Sequence, residues 1–122
     1  MEQLAAPPYD KRGAASNEYI EAFRELWTKE TPSYKGKFVQ VDDVFFEPKP
    51  VQTPHPPLWI GGEGDAARRR AGRLGDGWYP TIRTAKEPLD QASLLATSLA
   101  DVRRHAEAAG RDPSALDVAI FA

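Results

Sequence analysis

The chain has 122 residues, with 16 lysine and arginine residues against 18 aspartate and glutamate residues. This near-neutral balance gives no reason to expect nucleic acid or an anionic membrane as a partner. The absence of cysteine excludes a disulfide framework, thiolate chemistry and Cys-ligated metal. There is no apolar run near the length of a membrane span and no charged-then-apolar leader, so we expect a cytoplasmic location.

The amino-terminal part of the chain predicts a loop followed by one helix. Residues 1–15 contain two adjacent prolines and a glycine and are typical of a lead-in loop. Ser16 is a good N-cap for a helix over 17–28, in which apolar residues recur every three or four positions. Pro32 follows this helix, and proline cannot continue one.

An insertion and a proline-rich connector are predicted for residues 34–57. A turn at 35–37 precedes a short strand over 38–41, with residues 44–46 as its expected partner. Five prolines within 48–57 predict an extended, polyproline-like connector. The whole segment from residue 16 to 122 is then one partial domain that this insertion interrupts.

Strands and helices alternate along the second half of the chain. The apolar runs and turn residues predict three strands and two helices: strands over 58–60, 77–79 and 116–121, and helices over 66–74 and 87–109. Short buried strands that alternate with helices are typical of a parallel sheet, so the predicted fold class is α/β.

Glycines directly follow the first of these strands. Gly61, Gly62 and Gly64 have no Cβ, so a ligand can approach the backbone closely there. The helix that begins near Asp65 directs unpaired N–H groups at the same place, which favours an anion. Glycines after a strand are also ordinary turn residues. Glu63 would repel a phosphate, so its side chain is expected to point into solvent or to cap the helix.

Aromatic and charged side chains near this turn each have a functional and a structural interpretation. Trp59, Trp78 and Tyr79 could line a flat ring system, although aromatic residues in strands more often fill a core. Trp78 is the best ligand candidate of the three because it closes a strand. The arginines of the 66–74 helix point in different directions, so they are interpreted as solvated charge: Arg68, Arg69, Arg70 and Arg73.

Metal and acid–base chemistry have little support in the sequence. His55 lies in the proline connector, and His105 pairs with Asp101 four residues earlier on a helix. Neither histidine has a second ligand at metal spacing, so no metal site is expected. Glu18 is assigned a structural role. No nucleophile–base pair is recognisable, and the catalytic residues are therefore unknown.

Several short motifs recur in an order and spacing that one enzyme family shares. They are Arg12-Gly13, the segment Asn17–Thr28, Tyr34-Lys35-Gly36-Lys37-Phe38, Pro48-Lys49-Pro50-Val51-Gln52, Pro57-Leu58-Trp59-Ile60-Gly61-Gly62 and Asp76-Gly77-Trp78. The set resembles the bacterial luciferase-like family, and within it the oxidoreductases that use the deazaflavin coenzyme F-420. That family folds as a (β/α)8 barrel, which takes ~250 residues. The resemblance implies a partial barrel, from about the fourth barrel helix to the seventh strand.

The resemblance also implies a function. A reduced deazaflavin, slightly favoured over FMN, would transfer a hydride or oxygen to a small organic substrate. This chain would carry the turn that binds the cofactor phosphate, with Gly61, Gly62, Glu63, Gly64 and Trp78 as cofactor-binding residues. The substrate-facing acid–base residues of the family lie mostly in its first four strands, so the chain alone is expected to be inactive.

A second interpretation is a non-catalytic barrel fragment that assembles with itself or with a partner. Three parallel strands leave one sheet face bare, and this face is expected to include some of Trp59, Trp78, Val118 and Ile120. Soluble monomers seldom expose a large contiguous apolar patch, so self-association is expected, most simply as a symmetric homodimer.

Overall fold

The computed structural model describes residues 6–42, 44–81 and 92–120. Contacts between Cα atoms divide the chain into two units, Met1–Pro56 and Pro57–Ala122. The first unit contains one long helix and a small hairpin, and the second contains a three-stranded sheet with two helices.

Helix α1 spans Arg12–Thr28, directly after a short 3-10 helix at Tyr9–Lys11. It therefore begins before the predicted start at residue 17, and Ser16 is not its N-cap. The Ser16 hydroxyl donates to the carbonyl oxygen of Arg12 at 2.8 Å, inside the helix. A serine can bond the carbonyl four residues back as well as cap, so its presence does not by itself mark a helix start.

Strands β1 (Tyr34–Lys35) and β2 (Gln40–Val41) pair antiparallel, with Tyr34 opposite Val41. The predicted pairing of this strand with residues 44–46 is wrong, because those residues are described and form no strand. The Gly36 N–H donates to the Val39 carbonyl at 2.8 Å and closes the turn. A turn closed there pairs the second strand with the residues before it.

Glu18 fixes this hairpin to α1. One carboxylate oxygen accepts the backbone N–H of Lys37 at 2.7 Å, and the other accepts those of Phe38 at 2.6 Å and Val39 at 3.1 Å. The Tyr34 hydroxyl also donates to a carboxylate oxygen of Glu21, at 2.7 Å. The structural role predicted for Glu18 is confirmed by these contacts.

Glu18 and Tyr34, which both take part in the hydrogen bonds between α1 and the hairpin, have shifted pKa values. Burial pushes the pKa of Glu18 upward, but the three backbone donors and the charge of Lys37 outweigh it, so the pKa is lowered. Burial, with the hydrogen bond and charge of Glu21, raises the pKa of Tyr34 to about 12. The ionised carboxylate of Glu18 is therefore the form that binds the hairpin.

We expect Glu18→Gln to loosen the hairpin turn at neutral pH, because the amide NH2 that replaces one carboxylate oxygen cannot accept a backbone N–H, and the neutral amide oxygen accepts more weakly than a carboxylate does. Hydrogen exchange at Lys37, Phe38 and Val39 should become faster in the variant at pH 7. The stabilisation exists above the pKa of an unfolded glutamate, about 4.3. It is lost as the pH falls through the lower folded-state pKa of Glu18.

The matched control for this substitution is Glu25→Gln, two turns further along the same helix, which should leave exchange in the hairpin unchanged. Equal exchange rates at residues 37–39 in the Glu18 variant and the wild type at pH 7 would contradict the assignment.

The second unit is a parallel sheet crossed by two helices. Its elements, in chain order, are β3 (Trp59–Gly61), α2 (Asp65–Leu74), β4 (Gly77–Tyr79), α3 (Ala92–Ala108), a 3-10 helix (Pro113–Ala115) and β5 (Asp117–Val118). The sheet order is β3-β4-β5, with both pairings parallel. The predicted α/β alternation is confirmed. Residues 87–91 of the predicted long helix and residue 121 of the predicted last strand lie outside the described ranges.

The register of the sheet separates a buried face from an exposed one. Trp78 lies opposite Ile60 on one side and Val118 on the other, so these three share a face. Ile60 is buried and Trp78 is 0% exposed. Trp59 and Tyr79 belong to the other face and are 45% and 41% exposed. Of the residues from which the bare face was expected to be formed, Trp59 lies on the exposed face, whereas Trp78 and Val118 share the face of the buried Ile60.

Helices α2 and α3 pack closely at Gly72. A Cβ at this position would contact the Val102 carbonyl oxygen and would lie 2.6 Å from the Cβ of His105. Val102 and Ala106 are buried on the facing side of α3. Only a residue without a side chain allows the two helix backbones to approach this closely.

Gly72→Ala should destabilise the chain, although glycine to alanine inside a helix ordinarily stabilises by about 1 kcal/mol. The added Cβ meets backbone atoms that cannot move aside, and overpacking of this kind costs roughly 1–3 kcal/mol. Chemical unfolding measures the difference. Arg103→Ala on the exposed side of α3 is the control and should change stability by less than about 0.5 kcal/mol. A stabilised Gly72→Ala variant would contradict the close packing.

Candidate functional site

The turn between β3 and α2 contains glycines with different local requirements. Gly62 has φ +107°, and a Cβ there would lie 2.8 Å from the Cβ of Ala67, so the fold itself requires glycine. Gly64 is the N-cap of α2 with φ −73°, and among the described residues a Cβ there would meet nothing within 4 Å. At Gly61 the closest atom would be the Tyr79 carbonyl oxygen, at an ordinary 3.7 Å. Within the described residues, the space beside Gly64 is therefore open.

The carbonyl groups of this turn are bound by donors of the protein. The indole Nε1–H of Trp78 donates to the Gly62 carbonyl at 2.8 Å. The Arg68 guanidinium donates to the Glu63 carbonyl, and the Arg68 backbone N–H donates to the Gly64 carbonyl at 2.9 Å. Three successive carbonyl oxygens are thus held within the unit.

The N–H groups of the same turn are not used in this way. Within the part of the chain that the structure describes, no acceptor is found for the backbone N–H of Glu63 or Gly64, whereas the parallel register of β3 and β4 directs the Gly62 N–H at the Tyr79 carbonyl. The first N–H groups of α2, from Asp65 onward, have no intrahelical acceptor. Successive unpaired N–H groups at the start of a helix form an environment that favours an anion.

The two acidic side chains beside the turn are bound by protein donors. A carboxylate oxygen of Glu63 accepts the backbone N–H of Thr81 at 2.5 Å. The expectation that Glu63 points into solvent or caps α2 is therefore wrong, because the N–H at the end of β4 binds its carboxylate instead. The Asp65 carboxylate is exposed and forms an ion pair with the Arg68 guanidinium. Both pairings reduce the repulsion that an incoming anion would meet.

Trp78 lies beneath the turn. Its side chain is fully buried in the sheet, and its indole N–H reaches the Gly62 carbonyl from that side. The structure thus brings together two of the predicted cofactor-binding residues, Gly62 and Trp78, while Gly61 ends β3 just before Gly62, and Glu63 and Gly64 follow it in the turn. A part for Trp78 in cofactor binding stays a prediction, and the contact in the structure runs through the Gly62 peptide.

Arg68 is not the solvated charge that the sequence predicted. Its side chain is only 13% exposed, and its Nε donates to Asp101 of α3 at 2.8 Å. The predicted pairing of His105 with Asp101 is confirmed, at 3.6 Å, and Arg104 also contacts this carboxylate. The spacing of Asp65 and Arg68 on one helix could have indicated their ion pair. No local pattern indicates a contact with Asp101, 33 residues away.

Asp101 has a perturbed titration as a result. Burial pushes its pKa upward, but the hydrogen bond from Arg68 and the charges of His105, Arg104 and Arg68 outweigh burial and lower the pKa. The carboxylate therefore stays ionised well into the acidic range and holds its link to Arg68 there.

The described ranges contain no group of three or more histidine, cysteine, aspartate or glutamate side chains arranged to hold a metal ion. No helix in these ranges combines the length and the apolar character that crossing a bilayer requires. The cytoplasmic location stays a prediction.

Strands that pair in parallel and alternate with helices define the α/β class of barrel and sheet proteins. The sequence profile described as luciferase-like monooxygenase matches residues 1–122 of this chain. The chain therefore belongs to the luciferase-like monooxygenase family, and the resemblance noted in the sequence is confirmed.

Relatives in this family differ in the cofactor that they use. An FMNH2-dependent dimethylsulfone monooxygenase of Pseudomonas putida is 35% identical over 102 residues, which are 84% of this chain and 26% of the relative. An F-420-dependent hydroxymycolic acid dehydrogenase of Mycobacterium tuberculosis is 32% identical over 118 residues, 94% of this chain and 30% of the relative. The chain thus spans between a quarter and a third of the length of these relatives.

Solved structures support the same fold. An F-420-dependent secondary alcohol dehydrogenase in complex with an F-420-acetone adduct superposes with a TM-score of 0.76 and 25% identity, over 95% of this chain and 33% of that chain. A long-chain alkane monooxygenase has the same TM-score at 15% identity, over 95% of this chain and 30% of that one, and it shows the fold alone. These neighbours are luciferase-like TIM barrels, so the predicted partial barrel is confirmed.

Trp78→Phe tests the support beneath the turn. Phenylalanine fills most of the buried space but cannot donate to the part-buried Gly62 carbonyl, and a carbonyl left unpaired in this way costs up to about 1–3 kcal/mol. Thermal unfolding should show a loss in this range. Trp59→Phe, on the exposed sheet face, is the control and should cost less than about 0.5 kcal/mol. Equal losses in the two variants would mean that the indole N–H contributes nothing.

Proposed function

We propose that this chain is the cofactor-anchoring part of a flavin- or deazaflavin-dependent oxidoreductase that acts on a small organic substrate. The turn from Gly61 to Gly64 binds the phosphate of the cofactor. The observation that carries the proposal is the polarity of this turn: its carbonyls are bound inside the unit, while the N–H groups of Glu63 and Gly64 have no acceptor among the described residues.

The residues of the turn fit a phosphate group in charge and in space. Backbone N–H donors and the amino end of a ten-residue helix favour an anion, and the space that a Cβ on Gly64 would fill lets it come close. When bound, the reduced cofactor supplies the redox chemistry. The part of this chain is to hold the phosphate end and thereby fix where the rest of the cofactor lies. No catalytic residue is assigned among the described residues.

Deazaflavin F-420 is our slightly preferred cofactor, with FMN as the alternative. The motif set of the sequence is closest to the F-420 oxidoreductases, and the 25% identical solved neighbour carries an F-420 adduct. The 35% identical relative is FMNH2-dependent, which supports FMN. A turn that offers only backbone N–H groups recognises phosphate and serves either cofactor, so the preference rests on the relatives.

A second proposal, of a different class, is a non-catalytic chain that self-associates as a homodimer. It is favoured by Trp59 and Tyr79, two large aromatic side chains that lie half-exposed on one face of the sheet in the second unit. Strands β3 and β5 are also the edges of this sheet and can pair with further strands.

Gly64→Asp is the sharpest test of the phosphate site. Aspartate is a good N-cap, so helix α2 keeps its stability, while the new side chain fills the open space and adds a negative charge. Calorimetric titration of the purified chain with FMN and with F-420 should show affinity reduced at least about tenfold, which corresponds to about 1.4 kcal/mol. Gly62→Val is unsuitable, because the positive φ of Gly62 makes that variant misfold for local reasons.

Arg73→Gln is the matched control, because it makes the same change of one charge at the other end of α2, on an exposed side chain. Its cofactor affinity should stay within about twofold of the wild type. Unchanged affinity in Gly64→Asp, or a wild type that binds neither cofactor, would overturn the proposed site. A colourless chain that light scattering shows to be a stable dimer would favour the second proposal.

A further inference from the structure

We propose that Arg68 is a positioning residue that holds the 61–64 turn in its donor-presenting shape without itself binding the ligand. The part of this inference that concerns ligand affinity rests on the phosphate site proposed above, whereas the part that concerns the shape of the turn does not.

The Arg68 guanidinium joins three places in the second unit. It donates to the Glu63 carbonyl in the turn and to the Asp65 carboxylate at the start of α2. Its Nε donates to the Asp101 carboxylate of α3 at 2.8 Å. A guanidinium has five N–H donors in a fixed plane, so one side chain can hold all three acceptors at once, which a lysine ammonium does less rigidly.

The contact with the Glu63 carbonyl sets the direction of an N–H group. In a planar trans peptide, the C=O of one residue and the N–H of the next point in opposite directions. Arg68 holds the Glu63 carbonyl toward α2, and this fixes the Gly64 N–H on the opposite side. The Trp78 indole fixes the Glu63 N–H in the same way, through the Gly62 carbonyl.

Asp101 fixes Arg68 in turn. The two side chains are 13% and 16% exposed, and the carboxylate is held from its other side by Arg104 and His105. The two carboxylates, Asp65 and Asp101, offset the positive charge of Arg68, so the guanidinium is not available as a phosphate ligand. The influence of Arg68 on an anion is therefore exerted through the peptide that it orients.

Arg111 provides a matched control within the same unit. Its guanidinium donates to the carbonyls of Gly72 at 2.7 Å and Gly75 at 2.6 Å, at the other end of α2. Arg68→Gln and Arg111→Gln therefore each remove a guanidinium that binds main-chain carbonyls of this helix or its ends. We expect both variants to lose stability, but only Arg68→Gln to change the conformation of the 61–64 turn.

The experiment is an amide NMR comparison of the ligand-free chain, followed by titration with inorganic phosphate and with FMN. We expect Arg68→Gln to shift the Glu63 and Gly64 amide resonances and Arg111→Gln to leave them in place. Affinity for both probes should fall at least tenfold in Arg68→Gln and less than twofold in Arg111→Gln, with Arg68→Lys between them. If Arg68→Gln does not fold, Asp101→Asn should give smaller shifts of the same amides.

The outcomes separate the two proposals. Unmoved Glu63 and Gly64 resonances in Arg68→Gln, or equal shifts in Arg111→Gln, would overturn the positioning role. Shifted resonances in a chain whose wild type binds neither probe would support the positioning of the turn by Arg68 and overturn the phosphate site.

Discussion

In the β3–α2 turn, each planar trans peptide directs its C=O and the N–H that follows it in opposite directions. The donors that bind the carbonyls therefore decide where the N–H groups of the turn point. Three carbonyls in succession are held by Trp78, Arg68 and the first turn of α2. Each bond leaves the adjoining N–H directed the other way. The anion-favouring character of the turn therefore results from donors placed behind it by the sheet and by α2, more than from the glycines themselves.

The first unit contains a turn in which the protein binds the N–H groups instead of the carbonyl groups. There, three successive N–H groups of a tight turn, at residues 37–39, also point at one place, but the Glu18 carboxylate of the same chain already accepts all three. A turn whose N–H groups are bound by its own chain has a structural role, because these hydrogen bonds connect two elements of the fold. A turn whose carbonyls are bound and whose donors are open is a candidate ligand site. The distinction depends on which half of the peptide group the protein satisfies.

The alternation of strands and helices could be predicted from the sequence because it depends on local period and on turn residues. Predictions failed where one residue type serves two structures. Ser16 can cap a helix or bond within it, and the structure has the second. The buried contacts of Arg68 depend on Asp101, and those of Glu63 on Thr81, which are distant in sequence. Periodicity contains no information about such pairs, so the expectations of a solvated Arg68 and of a Glu63 that faces solvent or caps α2 are wrong, whereas Arg69 and Arg73 are exposed as expected.

From the sequence alone, the three glycines near the turn look equivalent, but the structure gives them different local requirements. Gly62 is needed for its positive φ and for its distance from Ala67, whatever the turn binds. Gly64 has an ordinary φ and open space around it, so nothing within the described unit requires glycine there. Gly64 thus lies at the start of a helix, where no acceptor is found among the described residues for the N–H groups of Glu63 and Gly64. The phosphate site that we propose rests on this combination of open space and unpaired donors, and the relatives that are FMNH2- or F-420-dependent suggest a ligand of matching charge.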